Sequence, residues 1–224
     1  MKTSSPSATA SRRWLVPTGL LLLSAIPLIF GGVRLHQLAM GAEITPANAR
    51  FFAAPAPVVV HILSSAAFAV LGAFQFVTGD RRRWLAWHRA AGRVSLITGL
   101  LSGLSGIWMT LFYPHTDALL MGFRLAAGSG MVLSIGLGLT TIRRRDVLGH
   151  QAWMMRAYAL GMGAGTQVLT GIVESLIVAH PDALSKAVSM GAAWLINLIV
   201  AEWIIRRRSS RQTRVAAGQS VATR

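Results

Sequence analysis

The chain has 224 residues, 53% of them hydrophobic and 13% charged, with a mean hydropathy of +0.53 and a formal charge of +15. That balance excludes an ordinary soluble domain, which needs more polar residues to cover its surface in water. The lack of cysteine excludes disulfides, thiolate metal sites, iron–sulfur clusters and haem attached through cysteine.

Hydrocarbon about 30 Å thick is crossed by roughly 20 apolar residues in a helix. The first such window is Leu15 to Leu35, interrupted only by Pro17 and Pro27. The next five are Pro57 to Gly79, Ala91 to Tyr113, Leu119 to Ile142, Ala152 to Ala179 and Leu184 to Ile205. The fold class is therefore all-α, a polytopic bundle of six transmembrane helices over residues 14–205. Residues 1–13 and the basic tail 206–224 lack apolar bulk and are predicted to be disordered ends. A cleaved leader ending near Ala39-Met40-Gly41 is the competing reading of the first window. Its apolar stretch is long for a leader, and removing it leaves five spans where the charge pattern asks for six.

Lys and Arg collect in alternate flanks: Lys2 with Arg12-Arg13, Arg81 to Arg93, Arg143 to Arg156, and Arg206 to Arg224. The opposite flanks hold only Arg34, Arg50, Arg124 and Lys186. Positive charge beside spans stays on the cytoplasmic side, so both termini are predicted to be cytoplasmic in a bacterial inner membrane. The run Arg206 to Arg214 is predicted to lie on anionic lipid headgroups, an explanation that leaves nucleic acid no role.

Lipid provides no hydrophobic drive for helices to associate, so small residues should mark the packing seams. Gly99, Ser102, Gly103 and Gly106 form one such series, Gly130, Ser134 and Gly138 a second, and Ala157, Gly161 and Gly165 a third. Polar residues inside the spans fall near two depths. His61, Arg124 and Glu174 lie toward the outer ends, with His36 and His115 at the boundary; Gln75, His88, Arg93, His150, Arg156 and Glu202 lie toward the inner ends. Gln167 and Asn197 lie between. Equal depth predicts an ion pair between Arg124 and Glu174, which would set the register of two helices.

His88 and His150 each open a span from the cytoplasmic side and are each followed by an arginine, Arg93 and Arg156. Two imidazoles on facing helices can clamp haem b, with arginines at the same level for its propionates. Gly92, one turn after His88, leaves room for a ring edge. Trp84, Trp87 and Trp153 fit an interfacial belt as readily as a cofactor wall, and a purely structural histidine pair is the plainer alternative. Zinc is unsupported, since no ligand spacing occurs, and the glycines of residues 161–165 lie inside an apolar span, where no nucleotide fingerprint belongs.

Three stretches together resemble a bacterial family of predicted multi-span membrane proteins, domain of unknown function 2306. They are His61 with Gly72-Ala73-Phe74-Gln75-Phe76; His88 with Gly92-Arg93; and Arg144-Arg145-Asp146 leading to His150, Trp153-Met154, Arg156 and Tyr158-Ala159-Leu160. The resemblance covers about His61 to Leu169 and implies a polytopic domain with paired histidine-bearing helix starts and no established activity. It also implies an arginine near Val168, where this chain has only Gln167 as a polar neighbour.

Two classes of function remain from the sequence. One is a membrane electron-transfer protein with haem b at His88 and His150, His61 and Gln75 as further cofactor contacts, and a quinone or other redox partner. The other is a transporter or structural subunit without cofactor. Against transport stands the lack of an inverted repeat or of broken helices in matching positions; against a hydrolytic enzyme stands the lack of a nucleophile with a neighbouring base.

Overall fold

A computed structural model describes residues 6–76, 81–114 and 117–222, with side chains over 14–76, 85–114 and 117–210. Every regular element among them is helical: α1 (Pro6–Met40), α2 (Ala49–Ala53), α3 (Pro55–Phe74), α4 (Arg81–Phe112), α5 (Ala118–Arg143), α6 (Val147–Gly161), α7 (Gly163–Ile177) and α8 (Ala183–Ala222). Helices α1, α3, α4, α5 and α8 are each long and apolar enough to cross a membrane, and α6 and α7 pass the same test only as a pair bent by 47°, a candidate sixth crossing. Helix α1 runs unbroken through Pro17 and Pro27. Both α1 and α8 continue into the end segments predicted to be disordered.

The chain threads neighbour to neighbour. Helix α3 packs on α4, α4 on α5 and α5 on α6; α8 closes the bundle against α5, α6 and α7, and α1 lies on α3 and α7. Phe68, Ala127, Met131, Ile135, Tyr158 and Leu160 form the centre, while Leu22, Phe30, Leu176 and Ile177 are more than half exposed on the outside. An apolar exterior around an apolar centre is what a lipid solvent requires.

Small residues stand where helices touch. A side-chain carbon at Gly99 would press on Phe68 and Ile135, one at Gly103 on Val132, and one at Gly72 into the Tyr158 ring. The Tyr158 ring cannot yield, because its hydroxyl donates to Ala69 O at 2.8 Å and Phe68 and Phe76 flank it. Two buried hydroxyls return to their own helix, Ser105 to Leu101 O and Thr110 to Gly106 O, so neither faces hydrocarbon unpartnered.

The basic turn between α5 and α6 is built by its sequence. Arg145 adopts the left-handed conformation (φ 62°), Asp146 N–H reaches back to Thr141 O, and Arg145 N–H to Ile142 O, the six-to-one and five-to-two bonds that end a helix. Asp146 then caps α6 through Gly149 N–H at 2.8 Å. The Arg144-Arg145-Asp146 stretch is thus a stop followed by a start, and it folds His150 back against α5.

The fifth crossing corrects the prediction of one continuous helix from Ala152 to Ala179. Met162, between Gly161 and Gly163, separates α6 from α7. Gly161 lets Phe68 approach, Gly163 admits the Trp194 indole, and Gly165 lies against the Leu23 carbonyl. Asn197 on α8 ties the two pieces: its amide donates to Ala159 O at 3.0 Å, and its oxygen accepts from Thr166 at 2.8 Å. A side chain thereby replaces backbone bonding across the break.

Candidate functional site

The polar residues gather at two levels, one toward the end where α1 begins and α8 finishes (the near end) and one toward the opposite, far end.

At the near end, α4 presents His88, Gly92 and Ser95 at four- and three-residue steps along one face. His150, on the first turn of α6, donates from Nδ1 to Gly138 O of α5 at 2.8 Å. A carbonyl only accepts, so Nδ1 carries the proton and the Nε2 lone pair is left free. His88 and His150 are near enough for the charge of one to act on the other. Gln75, just past α3, lies over Gly92: a side-chain carbon at Gly92 would meet only Gln75 Oε1, at 3.9 Å. Both amide atoms of Gln75 and the Ser95 hydroxyl are buried without a hydrogen-bond partner among the described residues. Buried polar atoms are seldom left so, and these three surround one turn of α4 beside His88.

The two arginines assigned to this level part company. Arg93 is exposed. Arg156 is engaged: its Nε donates to Glu202 Oε1 at 2.5 Å and its Nη2 to Glu202 Oε2 at 3.2 Å, while its guanidinium stacks over Trp153 at 4.4 Å. Trp153 therefore packs against Arg156.

Arg124 and Glu174 do not meet. Glu174 accepts from Ser185 at 2.8 Å, and the ion pair found among the described residues is Arg156–Glu202. The reason is lateral: α5 neighbours α4, α6 and α8, whereas α7 leans on α8 and α1. Equal depth is necessary for a pair but does not make helices adjacent. Applied to Arg156 and Glu202, also at one depth, the same reasoning finds the true pair.

At the far end a cavity of about 340 Å³ opens between α3, α4, α5, the α6–α7 break and α8. His61, Arg50, Arg124, Gln167 and Trp194 line it, with Met131 and Leu160 deeper in. His61 Nδ1 bonds to Ser102 O at 3.0 Å and Ser105 Oγ at 3.1 Å, which again leaves Nε2 free. Gln167 donates to Met190 O at 3.3 Å. Tyr113 closes the rim by donating to Ala54 O at 2.6 Å, and burial pushes its phenol above the usual range, so it remains protonated. His61 and Gln75 are thus on separate levels and share no site. His36 is exposed on α1, and His115 lies outside the described residues. No group of three or more histidines and carboxylates able to hold a bare metal ion occurs among the described residues.

The sequence reading missed the cavity, its lining by Arg50 and the break that forms part of its wall. The glycines flanking Met162 were the available signal.

Comparison with known proteins agrees with this architecture. No curated protein and no solved structure matches the chain. A family model, described as a predicted membrane protein (DUF2306), matches residues 58–205, from the first turn of α3 into α8 and well beyond the stretch His61 to Leu169. With paired histidine-bearing helix starts set in a bundle of membrane-crossing helices, and with that match over more than half its length, the chain belongs to the DUF2306 family of predicted membrane proteins.

Proposed function

We propose that the protein is a membrane-embedded redox carrier that holds a b-type haem between His88 and His150. The observation that carries this reading is the His150 Nδ1–H bond to Gly138 O, which fixes the tautomer and leaves Nε2 as a ligand, the arrangement typical of metal-bound histidine. His88 supports it by its place on α4, which packs on α5 and touches α6, Gly92 by having only Gln75 Oε1 within 4 Å, and Gln75 and Ser95 by polar atoms that lack partners among the described residues. Haem would supply one-electron exchange at a potential set by its axial ligands and burial. The chain's own part is to orient two rings, exclude water with α3 and α5, and place the exposed Arg93 where it can neutralise acidic substituents. Arg156 is a poorer candidate for that last task, because Glu202 already occupies it.

The arginine-rich near end faces the cytoplasm in this reading, with the basic end of α8 on anionic headgroups and a quinone or other redox partner approaching from that side. The test is an absorption spectrum of detergent-purified protein made in haem-replete cells. A Soret band with a reduced-minus-oxidised difference is expected, lost in His88→Ala and in His150→Ala but kept in His36→Ala. Protein that is folded and colourless refutes it.

A second reading, transport, is favoured by one specific observation: a broken crossing that lines a cavity is a recurrent feature of carriers. It predicts substrate flux in proteoliposomes and no haem spectrum.

A further inference from the structure

The far-end cavity plays no part in the haem reading, and its arginines have no ion-pair partner among the described residues. Arg124 lies six residues into α5, about 9 Å from its first residue at 1.5 Å per residue, a depth at which an ionised side chain marks a site. It makes no hydrogen bond or ion pair among the described residues. The charges acting on it are those of Arg50, a second cation, and Asp117. Asp117 caps α5, accepting from Leu120 N–H at 3.0 Å, and forms no ion pair with Arg124. No acidic residue lines the cavity among the described residues, whereas Arg50 and Arg124 both do. By contrast, half-buried Arg156 has Glu202 as its counterion.

The rest of the wall mixes apolar side chains with the neutral polar groups of Ser65, Ser102, Thr110, Tyr113 and Gln167, and has one further polar feature of note. His61, held through Nδ1, offers Nε2 as an acceptor when neutral. A volume of about 340 Å³ stands at the small end of ligand pockets, which run from about 300 to 1,000 Å³. It suits an acidic group with a short apolar body and is too small for a whole diacyl lipid.

We propose that this cavity binds an organic anion, its acidic group met by Arg124 and Arg50 and its apolar body lying against Met131, Leu160 and Trp194. The same chemistry is offered by a small aromatic or aliphatic acid and by the acidic headgroup of a lipid. The site stands independently of haem at the near end.

The test uses the full chain in neutral detergent. Calorimetric titration compares benzoate with its uncharged isostere benzamide, and native mass spectrometry compares retention of phosphatidylglycerol with phosphatidylcholine. Benzoate is expected to bind saturably and at least about tenfold more tightly than benzamide, as loss of a charged hydrogen bond implies. Arg124→Gln should lower its affinity by a similar factor, Arg124→Lys should restore part of it, and Lys186→Gln on the exposed far end of α8 should leave it unchanged. The same Arg124-dependent pattern for phosphatidylglycerol alone assigns the site to lipid and also upholds the proposal. If Arg124→Gln does not fold, the anion-to-neutral ratio of the unsubstituted chain and the Arg124→Lys result decide. Equal binding of charged and neutral probes, no binding of either anion, or full affinity in folded Arg124→Gln overturns it.

Discussion

The Arg156–Glu202 pair gives the most demanding check on how the near end is assembled. It joins α6 to α8 by two hydrogen bonds, with side chains 24% and 34% exposed. Freely exposed pairs contribute about 0.2–1 kcal/mol, and breaking a buried pair costs about 3–5 kcal/mol. A forked pair with about two thirds of one side chain and three quarters of the other covered falls between these limits, so a coupling energy of about 2 kcal/mol is expected. Glu202→Gln keeps the shape and removes the charge, leaving Arg156 its stacking on Trp153. Arg156→Met keeps the stem and removes both hydrogen bonds. Each single substitution should destabilise the bundle, and the double variant should lose less than the two together by that coupling. The assay is reversible unfolding in mixed micelles of increasing dodecyl sulfate fraction, followed by helical circular dichroism. Losses that add to within about 0.5 kcal/mol would refute a direct interaction. Coupling that leaves the absorption spectrum unchanged would assign Arg156 to the fold, as its geometry indicates.

Other substitutions probe the seams, the break and the turn. Gly165→Ala would drive a methyl onto the Leu23 carbonyl, a backbone atom that cannot swing aside, and should cost about 1–3 kcal/mol in the same assay. Gly136→Ala, with nothing within 4 Å, should instead gain up to about 1 kcal/mol from helix propensity. Asn197→Leu removes both ties across the break and should cost about 1 kcal/mol, with faster amide exchange around residues 159–166. Arg145→Gly relieves a left-handed residue and should raise stability by about 0.5 kcal/mol, whereas Asp146→Ala removes the α6 cap and should lower it by about 1 kcal/mol. A reversed sign in either of these last two, read from the same unfolding curves, contradicts the turn as described.

Composition and periodicity determined the solvent of this protein. Twenty-residue apolar windows can be satisfied in water only at great cost, so Leu15 to Leu35 and its five successors had to be membrane-crossing helices whatever their neighbours. Small residues announced their seams for a local reason too: Gly72, Gly99 and Gly103 remove side chains at points that larger neighbours occupy. The depth of each polar residue was likewise legible, because depth follows from counting along one helix. Lateral adjacency is not written in any single segment. That Arg156 meets Glu202 while Arg124 faces a cavity depends on which helices touch, and a 47° bend at Met162 turns α7 toward α1 and α8. The bend itself needed Phe68, Trp194 and Leu23 to come close to three glycines and Asn197 to bridge the gap, contacts between residues more than 30 positions apart. Sequence distance places a side chain along its own helix axis; only the packed bundle decides what stands across from it.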